Sequence, residues 1–271
     1  MPYIEEIVIA GKTIEISKRH SLRNIDKKIP RSENKNPTPE DVNRINERNA
    51  ETNLRRLLNT NFKYQDIHLV LTYKKENRPI TPQDARQDLE KFLRKLRAYF
   101  KKKNMVLKYI AVTEYENKAI HHHLVISSMD TRDLTDMWQH GQPRPTYLNN
   151  TGQYGQLASY LIKETSKTFN GPNRVHGKRW CPSKNLEKPK ITRRIISANT
   201  WRKDPKPKKG YYIEKDSKRF GIHELTGYQY QFYRMVKIPE NQGKKGDNNE
   251  MHAQHDHKSK LPRMQSSRSH N

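Results

Sequence analysis

Cysteine is nearly absent. Cys181 is the only one among 271 residues, so no intrachain disulfide framework can staple the fold, and a reducing interior is the expected compartment. Long apolar runs are missing as well. No stretch approaches the ~20 residues of a membrane-spanning helix. The opening MPYIEEIVIAG is acidic early, and its apolar run is too short for a signal peptide. The expectation is a soluble, cytoplasmic protein with no membrane partner. Acidic residues are the third scarcity: 29 Asp and Glu stand against 54 Lys and Arg, a net charge of +25. Such an excess repels itself in the compact state unless a polyanion accompanies it. Nucleic acid is the obvious polyanion, because each phosphate contacted by Lys or Arg releases condensed counterions. Composition alone leaves loose binding to membrane surfaces or RNA open. Hydrophobic residues make up only 32%, low for a globular chain, and imply a modest core with much polar chain.

What is present divides into clear segments. Residues 1–25 read as a short hairpin turning near Gly11 and Lys12, and residues 26–37 as a polar linker. Thr38-Pro39-Glu40-Asp41 starts a basic helix running to about Leu58, with a capping threonine, a first-turn proline and acids at the positive helix end. Ile67 to Tyr73 (IHLVLTY) reads as a buried strand. Thr81-Pro82-Gln83-Asp84 opens a helix whose Leu89, Phe92, Leu93, Leu96 and Phe100 recur at helical spacing. Val106 to Glu114 and Ile120 to Ser128 read as two further strands, Thr131 to Trp138 as a short helix, Gln153 to Thr168 as a longer one, and Lys190 to Ser197 as a fourth strand. The order β-α-β-β-α-β gives an α+β fold of ferredoxin-like type, an antiparallel sheet with helices packed on one side. Lys209 to Glu214 and Tyr228 to Val236 are strand-like extensions. From Pro239 onward the chain has almost no apolar residue and is expected to be disordered.

The third strand carries His121, His122 and His123. Alternate strand residues share a face and lie roughly 6.6 Å apart, so His121 and His123 project together and His122 points the other way. If the preceding turn centres between Asn117 and Lys118, Glu114 sits directly opposite His121, roughly 5 Å away at Cβ, and Val112 opposes His123. Glu114, His121 and His123 then form a two-histidine, one-carboxylate site suited to Mn²⁺ or Mg²⁺; Glu116 is the carboxylate if the register slips by two. A solvated strand face is the simpler account of an isolated His-x-His. Here the flanks are apolar on both sides, and burying two same-face imidazoles beside a carboxylate is hard without a cation.

Along Gln153 to Thr168, Tyr154, Leu157, Ala158, Leu161, Ile162 and Thr165 form one helical stripe for packing. Tyr160 and Lys163 fall on the opposite face, surface neighbours at roughly 5–6 Å. A phenol has an unperturbed pKa near 10, and a nearby ammonium favours the phenolate, which can attack phosphorus. The same lysine can neutralise charge on a phosphoryl group. Tyr160 and Lys163 are therefore candidate catalytic residues. An ordinary surface pair is the alternative, and Tyr154 is the competing nucleophile, although its place on the apolar stripe favours packing. Lys91, Arg94, Lys95, Arg97, Lys101 and Lys102 decorate the second helix and are the candidate DNA-binding face. Trp180, Trp201, Tyr211 and Tyr212, interleaved with cations, could stack bases, with core packing the simpler account for at least half of them. His252, His255 and His257 in the tail could hold a metal or be an incidental run.

Together these residues resemble the HUH-endonuclease superfamily of rolling-circle replication initiators, of the filamentous-phage gene II or microvirus-like type. The likeness rests on HLVLTY with Thr72, on TEYENKA followed by IHHHLVI, and on Tyr160 with Lys163, and it covers roughly residues 62–197. It implies His121, His123 and Glu114 as metal ligands and Tyr160 as a nucleophile that becomes joined to a 5′ phosphate. The family expects a hydrophobic residue where His122 stands. Gln156 occupies the place of a second tyrosine, so the chain resembles a single-tyrosine enzyme. The implied domains are an N-terminal hairpin and basic helix extension (1–60), the nicking domain (61–198), an appended β unit (199–238) and a tail (239–271). The implied partners are single-stranded DNA at a replication origin and, because no G-x-x-x-x-G-K-[ST] phosphate loop is present, a host helicase and polymerase. A mobilisation relaxase, a single-tyrosine transposase or a non-enzymatic nucleic-acid-binding protein remain the alternatives.

Overall fold

Threonine starts both long helices. Thr38 accepts a hydrogen bond from the Asp41 amide at 3.1 Å and opens α1 (Pro39–Asn61). Thr81 and Asp84 form a reciprocal capping box that opens α2 (Pro82–Lys102), satisfying amides that a helix start otherwise leaves bare. The computed structural model describes residues 3–20, 38–115, 119–170, 178–198, 200–223 and 227–239. The proposed turn centre, Glu116, the 26–37 linker and the tail histidines lie outside the described residues. No described helix is long and apolar enough to cross a membrane.

Two antiparallel sheets carry the architecture. The five-stranded sheet contains β3 (Ile67–Thr72), β4 (Tyr109–Glu114), β5 (His121–Ile126), β6 (Pro143–Tyr147) and β7 (Cys181–Pro182), in the order β6-β3-β5-β4-β7. With β6 as fourth strand, the run β3-α2-β4-β5-α3-β6, where α3 is Asp133–Met137, gives the 4-1-3-2 order of a ferredoxin-like sheet. Residues Leu69, Leu71, Leu124 and Ile126 join Leu89, Phe92 and Leu96 of α2 and Trp138 after α3 in one core on one face. The other face is covered by α1 and by α4 (Gly155–Asn170): Ile110, Val112 and Val125 pack with Leu54 and Leu58 and with Ala158, Leu161 and Ile162.

This corrects two expectations. Helices cover both faces, because α4 is not the second helix of the β-α-β-β-α-β unit; α3 is. The fourth strand of the unit is β6, and Lys190–Ile196, now β8, belongs to the other sheet, paired with β1 (Tyr3–Ala10). Opposite charges line that pairing. Arg193 meets Glu6 at 2.6 Å and Arg194 meets Glu5 at 2.5 Å across that pair. β6 has prolines at 143 and 145, which a strand tolerates only at an edge, where one row of amides has no ladder partner.

The second sheet runs β10-β11-β2-β1-β8, with β9 also on β11; the added strands are β2 (Thr13–His20), β9 (Tyr211–Ile213), β10 (Arg219–Ile222) and β11 (Gln229–Lys237). The β1–β2 turn falls at Gly11, where φ is +55° and a Cβ would lie 1.8 Å from the Asn59 carbonyl oxygen of α1. Only glycine fits that approach. Asn59 fastens the junction further. Its amide nitrogen donates to Thr13 Oγ1 at 3.2 Å and Gln153 Oε1 at 3.1 Å, while its oxygen accepts from the Tyr154 amide at 2.8 Å. Glu15 of β2, 2% exposed, receives Arg55 at 2.6 Å and Arg56 at 2.7 Å from α1. Burial alone would raise this carboxyl, but the two guanidiniums outweigh it and hold it below the ordinary 4.5.

Candidate metal and nucleophile site

β5 is the middle strand of its sheet, so the backbone of the three histidines is fixed by ladders on both sides. The register is the one the hairpin spacing predicts: Glu114 opposes His121, Thr113 opposes His122 and Val112 opposes His123. Glu114 and His123 are buried and His121 is partly exposed. Their ligand atoms all lie within 4.8 Å of one another.

The donor chemistry fits a cation. His121 Nδ1 is 2.8 Å from the Ala119 carbonyl oxygen, which can only accept, so Nδ1 carries a proton and donates. That leaves His121 Nε2 facing Glu114 Oε2 at 3.2 Å. A lone pair against a carboxylate oxygen is repulsive, and a cation held between the two removes that repulsion. A carbonyl fixing the far nitrogen of a ligating histidine is also the usual outer-shell arrangement around bound metals. Glu114, His121 and His123 therefore form a cluster able to hold a metal ion.

His122 faces the opposite core with no exposure. The Tyr73 hydroxyl lies 2.8 Å from its Nε2 and the Thr113 hydroxyl 2.8 Å from its Nδ1. Burial raises the Tyr73 phenol, and the charge and hydrogen bond of Asp88 raise it further. Each ring nitrogen of His122 thus has a hydroxyl partner, one from Tyr73 and one from Thr113. A polar residue where the family expects an apolar one is reconciled with the core by two satisfied hydrogen bonds.

His68 is a site residue that the sequence reading misses. On β3 it shares a face with Val70 and Thr72, which oppose His123 and His121, and its Nε2 lies 3.3 Å from His123 Nδ1. Burial lowers its pKa to about 4. The alternation of IHLVLT carried the signal, because residues 68, 70 and 72 of a strand paired beside β5 must face the cluster.

Tyr160 of α4 stands over the same face. Its ring meets His123 edge-on, with centroids 5.4 Å apart at 90°, and His68 at 6.3 Å and 76°. It is 42% exposed, whereas Tyr154, Ala158, Leu161 and Ile162 on the packing stripe are all buried. Tyr154 donates to the Asn149 carbonyl oxygen at 3.2 Å, and burial, with Asp66 adding, pushes its phenol up to about 12. Lys163 is exposed one turn beyond Tyr160 and lines a cleft toward α1 and β10–β11.

The cations of α2 stand apart from this cluster, on the helix that covers the opposite sheet face. Arg97 donates to the Tyr109 hydroxyl at 2.7 Å and Lys95 to the Met137 carbonyl oxygen at 3.2 Å, and Lys91 lies 3.6 Å from Asp88; Arg94, Lys101 and Lys102 are exposed. Of the four aromatics, Trp180 packs against the α1–α4 core, Trp201 against Tyr3 at 4.9 Å and Tyr211 against the Ile14–Met235 cluster. Tyr212 is exposed.

The family model of the replication-associated protein ORF2/G2P matches residues 66–169. That span takes in β3, both histidine-hairpin strands and nearly all of α4, and so contains His68, the three cluster residues, Tyr160 and Lys163. No curated protein and no solved structure matches the chain.

Proposed function

We propose that this chain, replication-associated over residues 66–169, initiates rolling-circle replication by nicking and rejoining single-stranded DNA at an origin, with the chemistry carried within residues 61–198. The observation that carries the reading is the exposed Tyr160 ring set edge-on against His123 at 5.4 Å. It supports reading Tyr160 as the nucleophile, since its ring stands beside a cluster that can hold a cation.

The Tyr160 oxygen loses its proton and forms a bond to phosphorus while the bond from phosphorus to the 3′ oxygen breaks. The 3′ oxygen takes up a proton, leaving a free 3′-hydroxyl and a 5′-phosphotyrosine. The ester is conserved, so the reverse attack by a 3′-hydroxyl rejoins a strand without external energy. Lys163 presents positive charge to the phosphoryl group from the same helix face. Glu114, His121 and His123 would hold Mn²⁺ or Mg²⁺, which when bound supplies charge that polarises a non-bridging phosphate oxygen. The paired strands fix their backbones, and the Ala119 carbonyl oxygen orients the His121 ring. Host helicase and polymerase would supply unwinding and synthesis.

The test uses 5′- and 3′-labelled single-stranded origin oligonucleotides with Mn²⁺ or Mg²⁺. The expected result is a covalent adduct carrying the 5′ phosphate, lost in Tyr160→Phe and lost on chelation. Undiminished cleavage by Tyr160→Phe overturns the assignment.

A further inference from the structure

We propose that the single strand approaching the nick is held in the cleft between α4 and β10–β11, and not along α2. The proposal rests on the nicking reading for its substrate and extends it to the surface that grips that substrate.

Gln156, Ser159, Lys163 and Ser166 recur at three- and four-residue steps and form one stripe of α4, next to Tyr160. They line two adjoining hollows of about 680 and 460 Å³. The facing wall is built by Arg219, Phe232 and Arg234, which line both hollows, with Tyr230 in the first and Tyr212 in the second. The register makes this wall coherent: Arg219 opposes Phe232 and Gly221 opposes Tyr230, so the four positions share one face. Gly221 leaves room for the Tyr230 ring, whose hydroxyl would lie 3.1 Å from a Cβ added there. The Arg219 guanidinium lies 6.0 Å from the Phe232 ring centre.

Charge selects the occupant. Arg55 and Arg234 in the floor are paired with Glu15 and Glu214, so their charge is spent on the fold. Arg48, Lys163 and Arg219 at the rim are exposed; of the four acids in the lining, Glu47 and Glu51 are partly exposed, Glu214 is paired with Arg234, and Asp216 is exposed in the second hollow only. A cationic rim with aromatic rings inside it is the combination that tracks a sugar-phosphate backbone while stacking unpaired bases. A duplex keeps its bases stacked on one another and offers none to Tyr230 or Phe232. Ser159 and Lys163 of the cleft flank Tyr160 on α4, whereas α2 covers the opposite sheet face.

Binding of a fluorescent single-stranded oligonucleotide to the full chain, with chelator present so that no strand is cut, tests this. Arg48→Ala/Arg219→Ala is expected to bind at least tenfold more weakly at low salt. The slope of log K against log salt should fall by about 1.4, at ~0.7 per phosphate contact. Tyr230→Ala should weaken binding about tenfold through lost stacking with the slope unchanged. Lys91→Ala/Arg94→Ala/Lys101→Ala should bind as the parent does. All three positions in the cleft variants are exposed, so unchanged thermal unfolding midpoints are expected. Parent-like binding by the double arginine variant, a loss in the α2 variant instead, or equal competition by a duplex of the same sequence overturns the proposal. These readouts need no phosphotyrosine chemistry. A Tyr160→Phe protein that still nicks would sink the nucleophile and leave the cleft standing.

Discussion

His68 and His123 face each other across β3 and β5, their rings 16° from parallel and 5.5 Å between centroids, with facing nitrogens 3.3 Å apart. A neutral His68 can accept at Nε2 from His123 Nδ1–H. That contact can orient the His123 ring within the cluster it forms with Glu114 and His121. His68 is thus placed to position His123.

Replacing His68 should therefore act on metal affinity before chemistry. His68→Ala is expected to weaken Mn²⁺ binding about 10–100-fold, the usual cost of losing an outer-shell partner. Nicking should be largely restored at high Mn²⁺. Calorimetric titration of the metal into parent and variant checks this, and a purely structural role for His68 would leave the metal affinity unmoved.

The two faces of β5 separate function from stability. His123→Ala should abolish stoichiometric metal binding. His122→Ala should keep it while costing about 1–3 kcal/mol of stability, because the Tyr73 and Thr113 hydroxyls lose a buried partner. Metal stoichiometry and denaturant unfolding, measured on both variants, read the two effects apart.

The two tyrosines near the helix start divide in the same way. Tyr154→Phe should form the covalent adduct at close to the parent rate, since its phenol, at about 12, is buried and bonded to Asn149. Gel shift of the adduct under denaturing conditions is the measurement.

Acid should open the junction between the second sheet and α1. The folded pKa of Glu15 lies below its ordinary 4.5. Its ionised form is thus favoured by folding, and the stabilisation is present above 4.5 and is lost as pH falls through the lower folded value. Glu15→Gln should cost about 3–5 kcal/mol at neutral pH, because Arg55 is left buried without its counter-charge. The variant should also flatten the acid limb of the stability profile. Thermal unfolding against pH checks both statements.

Local patterns carried much of this architecture. The alternation of IHHHLVI and the short hairpin placed Glu114 opposite His121, and the spacing of Tyr154 to Thr165 gave the buried stripe of α4. What local pattern does not contain is the partner. PRPTY has the composition of a loop and becomes β6 only because the β3 edge is open beside it. KITRRIIS has the composition of a strand, but Arg193 and Arg194 find Glu6 and Glu5 nearly two hundred residues away. The apolar stripe of α2 showed that one side is buried without showing which sheet face it covers, and that choice decides whether its lysines stand near Tyr160. His68 was visible only once β3 was known to lie beside β5.

The hairpin at residues 3–20 pairs with strands at 190–196 and 229–237. During synthesis it must wait, unpaired along both edges, until nearly the whole described chain has left the ribosome. Contacts of such sequence separation form slowly. The cleft along α4 takes one of its walls from these late strands, so a nascent chain with its histidine hairpin and tyrosine already folded would still have only half of it.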